Sequence, residues 1–221
     1  MDMAKTQELL TQILSQRIKS SAPRAQYWLS GASEVIVFGS MSVGLNRPDS
    51  DIDVLCIGGD EGKVKTNELD LIAVSVEATR SRAWLQSELA SHVAEYGTWI
   101  KGSPTSWRSE VGIGPTVAME KRRRVSAFMT AIPKSWLKLE ERFRVKFSTK
   151  LRRETQRLIL LERSVPIPPT RILDCSWFTI SKSPTEVHER LRALAPNSFS
   201  AFTDDLLARL DPHTGTGSPP A

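Results

Sequence analysis

The chain has 221 residues, of which 40% are hydrophobic and 25% are charged, and its net charge is +5. This composition is typical of a globular protein and excludes global disorder, while the positive charge favours polyanionic partners. Its two cysteines, Cys56 and Cys175, lie too far apart in sequence to suggest a disulfide framework or a zinc site. We find no apolar signal core and no run near the roughly 18 apolar residues that cross a bilayer, so we expect a cytoplasmic protein without membrane contact.

The first third of the chain mixes helical and strand-like patterns. An apolar stripe at helical spacing predicts a helix over 4–20, and Gly31 closes the segment that follows it. Three β-rich apolar runs come next, at 34–38, 51–57 and 69–76. The connection between the second and third runs is short and has no helical period, so we expect these two strands to pair antiparallel.

The rest of the chain reads mainly as helix. Residues 98–115 contain three glycines and two prolines and predict a loop. The predicted helices are 79–97, 116–131, 134–163, 184–195 and 198–210, the second and third being split at Pro133. These patterns divide the chain into a first domain of mixed helices and strands over 1–115, a basic helical region over 116–210 and a disordered tail over 211–221.

The most informative pattern lies between the first two strands. The first strand ends in Gly39-Ser40, and the second opens with Asp51-Ile52-Asp53. Residues i and i+2 of a strand face the same side, so the two carboxylates project together and repel each other unless a cation lies between them. Mg²⁺ prefers carboxylate, water and phosphate oxygens, and a glycine turn lets the backbone approach a phosphate. Either feature alone is common in solvated turns, but the combination predicts a metal-dependent triphosphate site.

The motif Gly39-Ser40-x10-Asp51-Ile52-Asp53 resembles the signature of the polymerase-beta-type nucleotidyltransferases. Gly44 and the lead-in Pro48-Asp49-Ser50 make it most similar to the minimal bacterial branch, which also contains aminoglycoside nucleotidyltransferases. The resemblance implies an α/β (α+β) fold: a small mixed sheet flanked by helices, followed here by a mostly helical C-terminal part. It also implies two Mg²⁺ ions (or Mn²⁺) and an NTP such as ATP. The implied EC 2.7.7-type reaction transfers a nucleoside monophosphate to a hydroxyl and releases pyrophosphate.

The family resemblance also implies a third carboxylate on a following strand. Asp70 matches best, with Glu68 and Glu77 as alternatives. In the family this acid acts as a general base or as a metal ligand. The resemblance therefore assigns Asp51, Asp53 and Asp70 to catalysis and to metal binding.

Four residues near the motif are candidates for nucleotide binding, namely Gly39, Ser40, Arg47 and Ser50. We expect Ser40 to touch the β- or γ-phosphate, although serine is also a common helix N-cap. Arg47 either approaches a phosphate or is a solvated loop arginine. Ser50 lies close enough in sequence to assist.

A basic run marks the helical region. Residues 119–163 contain 14 Lys and Arg against 5 Asp and Glu. In two-part nucleotidyltransferases one basic residue of the helical part commonly meets the triphosphate, and Lys150, Arg152 and Arg153 are candidates here. The run could instead dock an RNA or tRNA acceptor. An RNA or tRNA, a protein and a small molecule all remain open as the acceptor.

Two other classes of function compete with this enzyme. The first is an inactive nucleotidyltransferase-fold module that binds nucleic acid or a partner protein, for example in a toxin–antitoxin pair. The second is a glycosyltransferase whose Asp-x-Asp motif holds a metal. The intact Ser40 and acid pair disfavour the first, and the upstream Gly-Ser turn disfavours the second.

Overall fold

The computed structural model describes residues 3–19, 23–47, 50–175, 189–193, 204–206 and 208–209. The chain forms two compact units. The first runs to Gly114 and takes in Pro166–Ile172, and the second comprises Pro115–Val165 and the residues from Leu173 onward.

The first unit is built on a five-stranded mixed sheet with the strand order β3-β4-β2-β1-β5. The strands are β1 Glu34–Phe38, β2 Ile52–Ile57, β3 Gly62–Lys65, β4 Leu69–Val74 and β5 Thr98–Lys101. The helices of this unit are α1 Met3–Lys19, α2 Pro23–Gly31, α3 Gly39–Ser42, α4 Val76–Arg80, α5 Arg82–Leu85, α6 Glu88–Tyr96 and α7 Trp107–Glu110.

The pairing of the second and third predicted strands differs from expectation. These strands, β2 and β4, are parallel neighbours, whereas we predicted an antiparallel pair. The reason is an additional short strand, β3, inside the connection at 58–67. Because β3 runs antiparallel to β4 at the edge of the sheet, the chain reverses direction twice before β4 begins. The predicted loop over 98–115 was also wrong in part, since it contains β5, which pairs antiparallel with β1, and α7.

Helices cover both faces of the sheet. On one face, Leu10 and Leu14 of α1 and Trp28 of α2 form a core with Val54 and Cys56 of β2. On the other face, the strand residues Ile36, Leu55 and Ile57 form a core with Val93 of α6 and Trp107 of α7. Burying each such side chain contributes about 1.5–3 kcal/mol. The sheet is therefore held from both sides.

The predicted helix over 79–97 is divided into α4, α5 and α6. Each begins after a serine whose hydroxyl accepts a hydrogen bond from the backbone three residues on; the caps are Ser75, Ser81 and Ser87. Serine side chains compete for backbone groups and favour helix starts over helix interiors. The predicted end at Gly97 is confirmed, since Gly97 is the C-cap of α6.

The second unit is helical in the part that the structure describes. Its long helices are α8 Pro115–Ala131 and α10 Glu141–Glu162, with the short α9 Pro133–Trp136 between them, and α11 Thr170–Cys175 crosses the boundary of the units. The predicted helix over 134–163 thus begins later, at Glu141. The core of the second unit includes Val125, Met129, Trp136 and Leu151.

Only parts of the last predicted helices can be compared with the structure. Residues 189–193, 204–206 and 208–209 are helical, and the rest of the predicted helices at 184–195 and 198–210 lies outside the described residues, as does the tail 211–221. None of the described helices is long and apolar enough to cross a membrane. The expected class, a small mixed sheet flanked by helices and followed by a mostly helical part, is confirmed.

Candidate active site

The sheet brings the three predicted acids to one end. In the register of the sheet, Asp53 of β2 lies opposite Phe38, the last residue of β1, and opposite Asp70 of β4 on its other side. Asp51 immediately precedes β2, two residues from Asp53. Neighbouring strands are about 4.8 Å apart, so Asp53 and Asp70 are adjacent on the sheet. Alternation along the strands places all three acids on the face that carries α6 and α7.

The alternative third acids lie elsewhere. Glu68 precedes β4 and is exposed, and Glu77 is an exposed residue in the first turn of α4. Asp70, by contrast, is only 9% exposed. Among the three candidates, Asp70 is the one that the structure places beside Asp53.

The Gly39-Ser40 turn lies directly against Asp53. Gly39 has φ +75°, and a side chain at this position would overlap Oδ2 of Asp53 and lie 3.1 Å from its Cγ. Only glycine accommodates both the positive φ and this close approach. Ser40 is the second residue of α3 and is half-buried, while Phe38 is the N-cap, so the alternative role of Ser40 as an N-cap is wrong.

The loop between the motif's two halves is held by two hydrogen bonds between Arg47 and Ser50. The Arg47 N–H donates to Oγ of Ser50 at 2.8 Å, and the Ser50 N–H donates to the Arg47 carbonyl at 3.0 Å. Residues 48 and 49 between them lie outside the described part. Arg47 itself is exposed. The Ser50 hydroxyl therefore shapes the turn that leads into Asp51.

Arg17 of α1 is a positioning residue that the sequence patterns did not single out. Its guanidinium donates to the carbonyl of Ser50 and, at 3.2 Å, to that of Glu68. These two carbonyls precede β2 and β4, the strands that carry the acids. Arg17 thus ties together the starts of both strands. It lies outside the apolar stripe of its helix, so periodicity gave no indication of this role.

Two lysines on β3 contact the acids. Lys65 Nζ lies 2.6 Å from Oδ2 of Asp70 and 3.9 Å from Oδ2 of Asp51, and Lys63 Nζ lies 3.0 Å from Oδ1 of Asp70. Both lysine side chains remain more than half exposed. The end of the sheet thus combines three carboxylates with two ammonium groups.

This arrangement separates the ionisation of the acids. Burial, then the charges of Asp51 and Asp70, raise the pKa of Asp53 to about 7. Burial alone would raise the pKa of Asp70 too, but the hydrogen bonds and charges of Lys65 and Lys63 hold it below its ordinary value. The hydrogen bond to Asp70 raises the pKa of Lys65 in turn. Of Asp53 and Asp70, Asp53 is therefore the acid whose negative charge is less compensated.

The residues fit a magnesium ion by the chemistry of their donor atoms. Among the described residues, no three acids, histidines or cysteines converge as a ready-made metal cage. Mg²⁺ does not require one, because it keeps several waters and usually takes one or two carboxylates together with substrate phosphates. Asp51 and Asp53 supply that pair, and a cation would relieve the repulsion from Asp51 and Asp70 that adds to burial in raising the pKa of Asp53.

The basic candidates of the second unit are engaged within that unit. Arg152 Nη2 lies 2.9 Å from Oδ1 of Asp174, and Arg153 Nη2 lies 2.5 Å from its Oδ2. Lys150 lies over the ring of Phe128, with Nζ 5.0 Å from the centroid. Burial would raise the pKa of Asp174, but its bonds with the two arginines lower it. The charges of Arg152 and Arg153 thus already have a carboxylate partner.

Comparison with known proteins points to the same segment. Residues 24–95 match the family model described as "Nucleotidyltransferase domain". The match includes the first four strands and therefore all of the candidate residues near the acids. No curated protein matches the chain.

Proposed function

We propose that the protein transfers a nucleoside monophosphate from an NTP to a hydroxyl acceptor, because residues 24–95 match the nucleotidyltransferase domain family model. One observation carries the proposal: Asp53 lies against the Gly39 turn and opposite Asp70 in the sheet, and Asp51 precedes it by two residues. In the reaction, the acceptor oxygen bonds to the α-phosphorus. The bond from that phosphorus to the bridging oxygen breaks, and pyrophosphate leaves with the electron pair.

The three acids divide into two roles in this proposal. Asp51 and Asp53 would hold magnesium, which supplies neutralisation of the charge that builds up on the phosphates. Asp70 remains ionised at neutral pH, because Lys63 and Lys65 lower its pKa. A carboxylate of low pKa is a weak base, but while ionised it accepts a charge-assisted hydrogen bond from a hydroxyl. Asp70 therefore orients the attacking hydroxyl and receives its proton only as the new bond forms.

The glycine turn supports the phosphate side of the proposal. Since Gly39 has no side chain, the backbone at the end of β1 packs directly against Asp53, which keeps the turn next to a proposed metal ligand. Ser40 follows it and is half-buried, so its hydroxyl is available to a phosphate oxygen. Exposed Arg47 lies farther along the same loop and can contact the triphosphate from solvent.

The acceptor we would test first is RNA. The second unit has exposed basic residues that no described carboxylate neutralises, among them Arg123, Arg124 and Lys146. Exposed, uncompensated positive charges favour a polyanionic acceptor. Protein and small-molecule hydroxyls are the other acceptors that the reaction allows, and a labelled extract distinguishes them by the size and nuclease sensitivity of the product.

The test is label transfer from each [α-³²P]NTP, with Mg²⁺ and either total RNA or cell extract as acceptor. Wild type and the control Asp60→Asn should label the acceptor equally, because Asp60 is an exposed acid in the loop after β2. Asp51→Asn and Asp53→Asn should each lower the rate by about a hundredfold or more. Equal labelling by these variants would refute the assignment. Absence of both labelling and metal-dependent NTP binding in wild type would favour an inactive binding module.

A further inference from the structure

The lysines of β3 have a more specific arrangement than an edge strand requires. Edge strands often carry lysine to prevent pairing with other chains, and such lysines point into solvent. Here Lys63 and Lys65 both lie on the face of the acids, while Val64 between them packs against the core on the opposite face. Lys65 pairs in register with Asp70 itself.

Lys65 is distinguished from Lys63 by what it contacts. Lys63 reaches Asp70 alone, whereas Lys65 approaches both Asp70, at 2.6 Å, and Asp51, at 3.9 Å. Its ammonium group therefore lies between the first and the third acid of the site. A positive charge at this place provides the compensation that the carboxylates would otherwise receive from a divalent cation.

We propose that Lys65 is a built-in competitor of the divalent cation, whose ammonium group must leave Asp51 before the metal binds. This inference rests on the proposed function, since it assumes that Asp51 is a metal ligand. Its physical basis is that a carboxylate oxygen paired with an ammonium group is a poorer ligand, and that two cations at one site repel each other. The Lys65 side chain is 61% exposed, so it can turn away into solvent at low cost.

The competition has a consequence for the order of binding. The free protein holds a divalent cation weakly, because part of the negative charge of its acids is already compensated. A triphosphate that arrives with its own cation offers the displaced ammonium group a new anionic partner. Metal and nucleotide are therefore expected to bind together more readily than the metal binds alone.

The experiment measures Mn²⁺ binding to the full chain without nucleotide, from the electron paramagnetic resonance signal of the free ion. Lys65→Met should bind Mn²⁺ about tenfold more tightly than wild type, because a compensating charge has been removed. Lys65→Arg keeps the charge and should stay within about twofold of wild type. Lys101→Met is the matched control: Lys101 lies on β5 at the opposite edge of the sheet and donates to the carbonyls of Leu29 and Ser30.

A second measurement addresses folding. In EDTA, Lys65→Met should melt at a lower temperature than wild type. Added Mn²⁺ should raise the melting temperature of Lys65→Met by more than that of wild type. Lys63→Met removes the lysine that contacts only Asp70 and should tighten Mn²⁺ binding less, which provides a second variant should Lys65→Met fail to fold.

The outcomes separate this inference from the proposed function. Equal or weaker Mn²⁺ binding by Lys65→Met, with clear binding by wild type, would overturn the competition and leave the metal site intact. No binding by wild type, Lys65→Met or Lys63→Met, whether an NTP is absent or present, would overturn both. Binding that appears only when the lysine is removed would support the competition in its strongest form.

Discussion

Replacing Gly39 with alanine tests the packing between the turn and Asp53, a proposed metal ligand. Gly39 has φ +75°, and a Cβ there would overlap Oδ2 of Asp53 and lie 3.1 Å from its Cγ. Either Asp53 must leave its position or the turn must shift. The substitution therefore acts on stability and on the site through a single contact.

The expected cost has two parts. A non-glycine residue at positive φ costs about 1–2 kcal/mol. Forcing a packed side chain out of its position costs about a further 1–3 kcal/mol. We expect Gly39→Ala to lower the free energy of unfolding by about 2–5 kcal/mol in urea titrations. Gly44→Ala provides the matched control, because Gly44 has φ +70° but a Cβ there meets nothing within 4 Å; this variant should lose only the first part.

A double-mutant cycle isolates the overlap. In an Asp53→Ala background the clashing atoms are absent, so Gly39→Ala should then cost about as much as Gly44→Ala, about 1–2 kcal/mol. The difference between the two backgrounds measures the contact itself. The reasoning is refuted if Gly39→Ala costs no more than Gly44→Ala in the wild-type background, or if its cost is the same with and without the Asp53 carboxylate.

Two further predictions concern buried groups. Lys121 Nζ lies 2.9 Å from Oε2 of Glu154 in the second unit, and both residues are buried, so Glu154→Gln should lower the free energy of unfolding by about 3–5 kcal/mol in urea at pH 7. Burial alone would raise the pKa of Glu154, but Lys121 lowers it below its ordinary 4.5. The contribution of the pair to the free energy of unfolding should therefore persist above pH 4.5 and be lost as the pH falls below that value. Glu154→Gln should not show this loss. Burial raises the pKa of Cys56 to about 12, so in a Cys175→Ser variant the native protein should react with a thiol reagent at least about a hundredfold more slowly than in urea, and comparable rates would contradict its burial.

Local patterns predicted the acid pair, because it depends on neighbours in sequence. Asp51 and Asp53 are two residues apart at the start of an apolar strand, and the period of a strand is enough to place them on one face. The same reasoning found β1, β2 and β4. The position of Asp70 beside Asp53 is a matter of strand register instead, and family resemblance suggested it where spacing alone could not.

The errors in the predicted fold arise where local sequence preferences and long-range strand pairing differ. The strand β3 has the sequence Gly-Lys-Val-Lys, which offers one apolar side chain and reads as a polar connection. Its strand conformation comes from pairing with β4, a contact between segments whose partnership no periodicity encodes. Missing β3 also reversed the predicted pairing of β2 with β4, since each additional strand in a connection inverts the direction of the next.

The same missing strand explains why the chemistry of the site could be predicted only in part. In the sequence, Asp51 and Asp53 have no adjacent basic residue, so their charges would have to be balanced by an external cation. In the folded sheet, the register of β3 against β4 places Lys65 opposite Asp70 and within 3.9 Å of Asp51, so part of the required charge is internal. A shift of β3 by one residue would turn both lysines to the other face and leave the acids uncompensated. The charge balance of this site is therefore set by strand register, and substitutions that alter the pairing of β3 should change metal affinity even when every acid is intact.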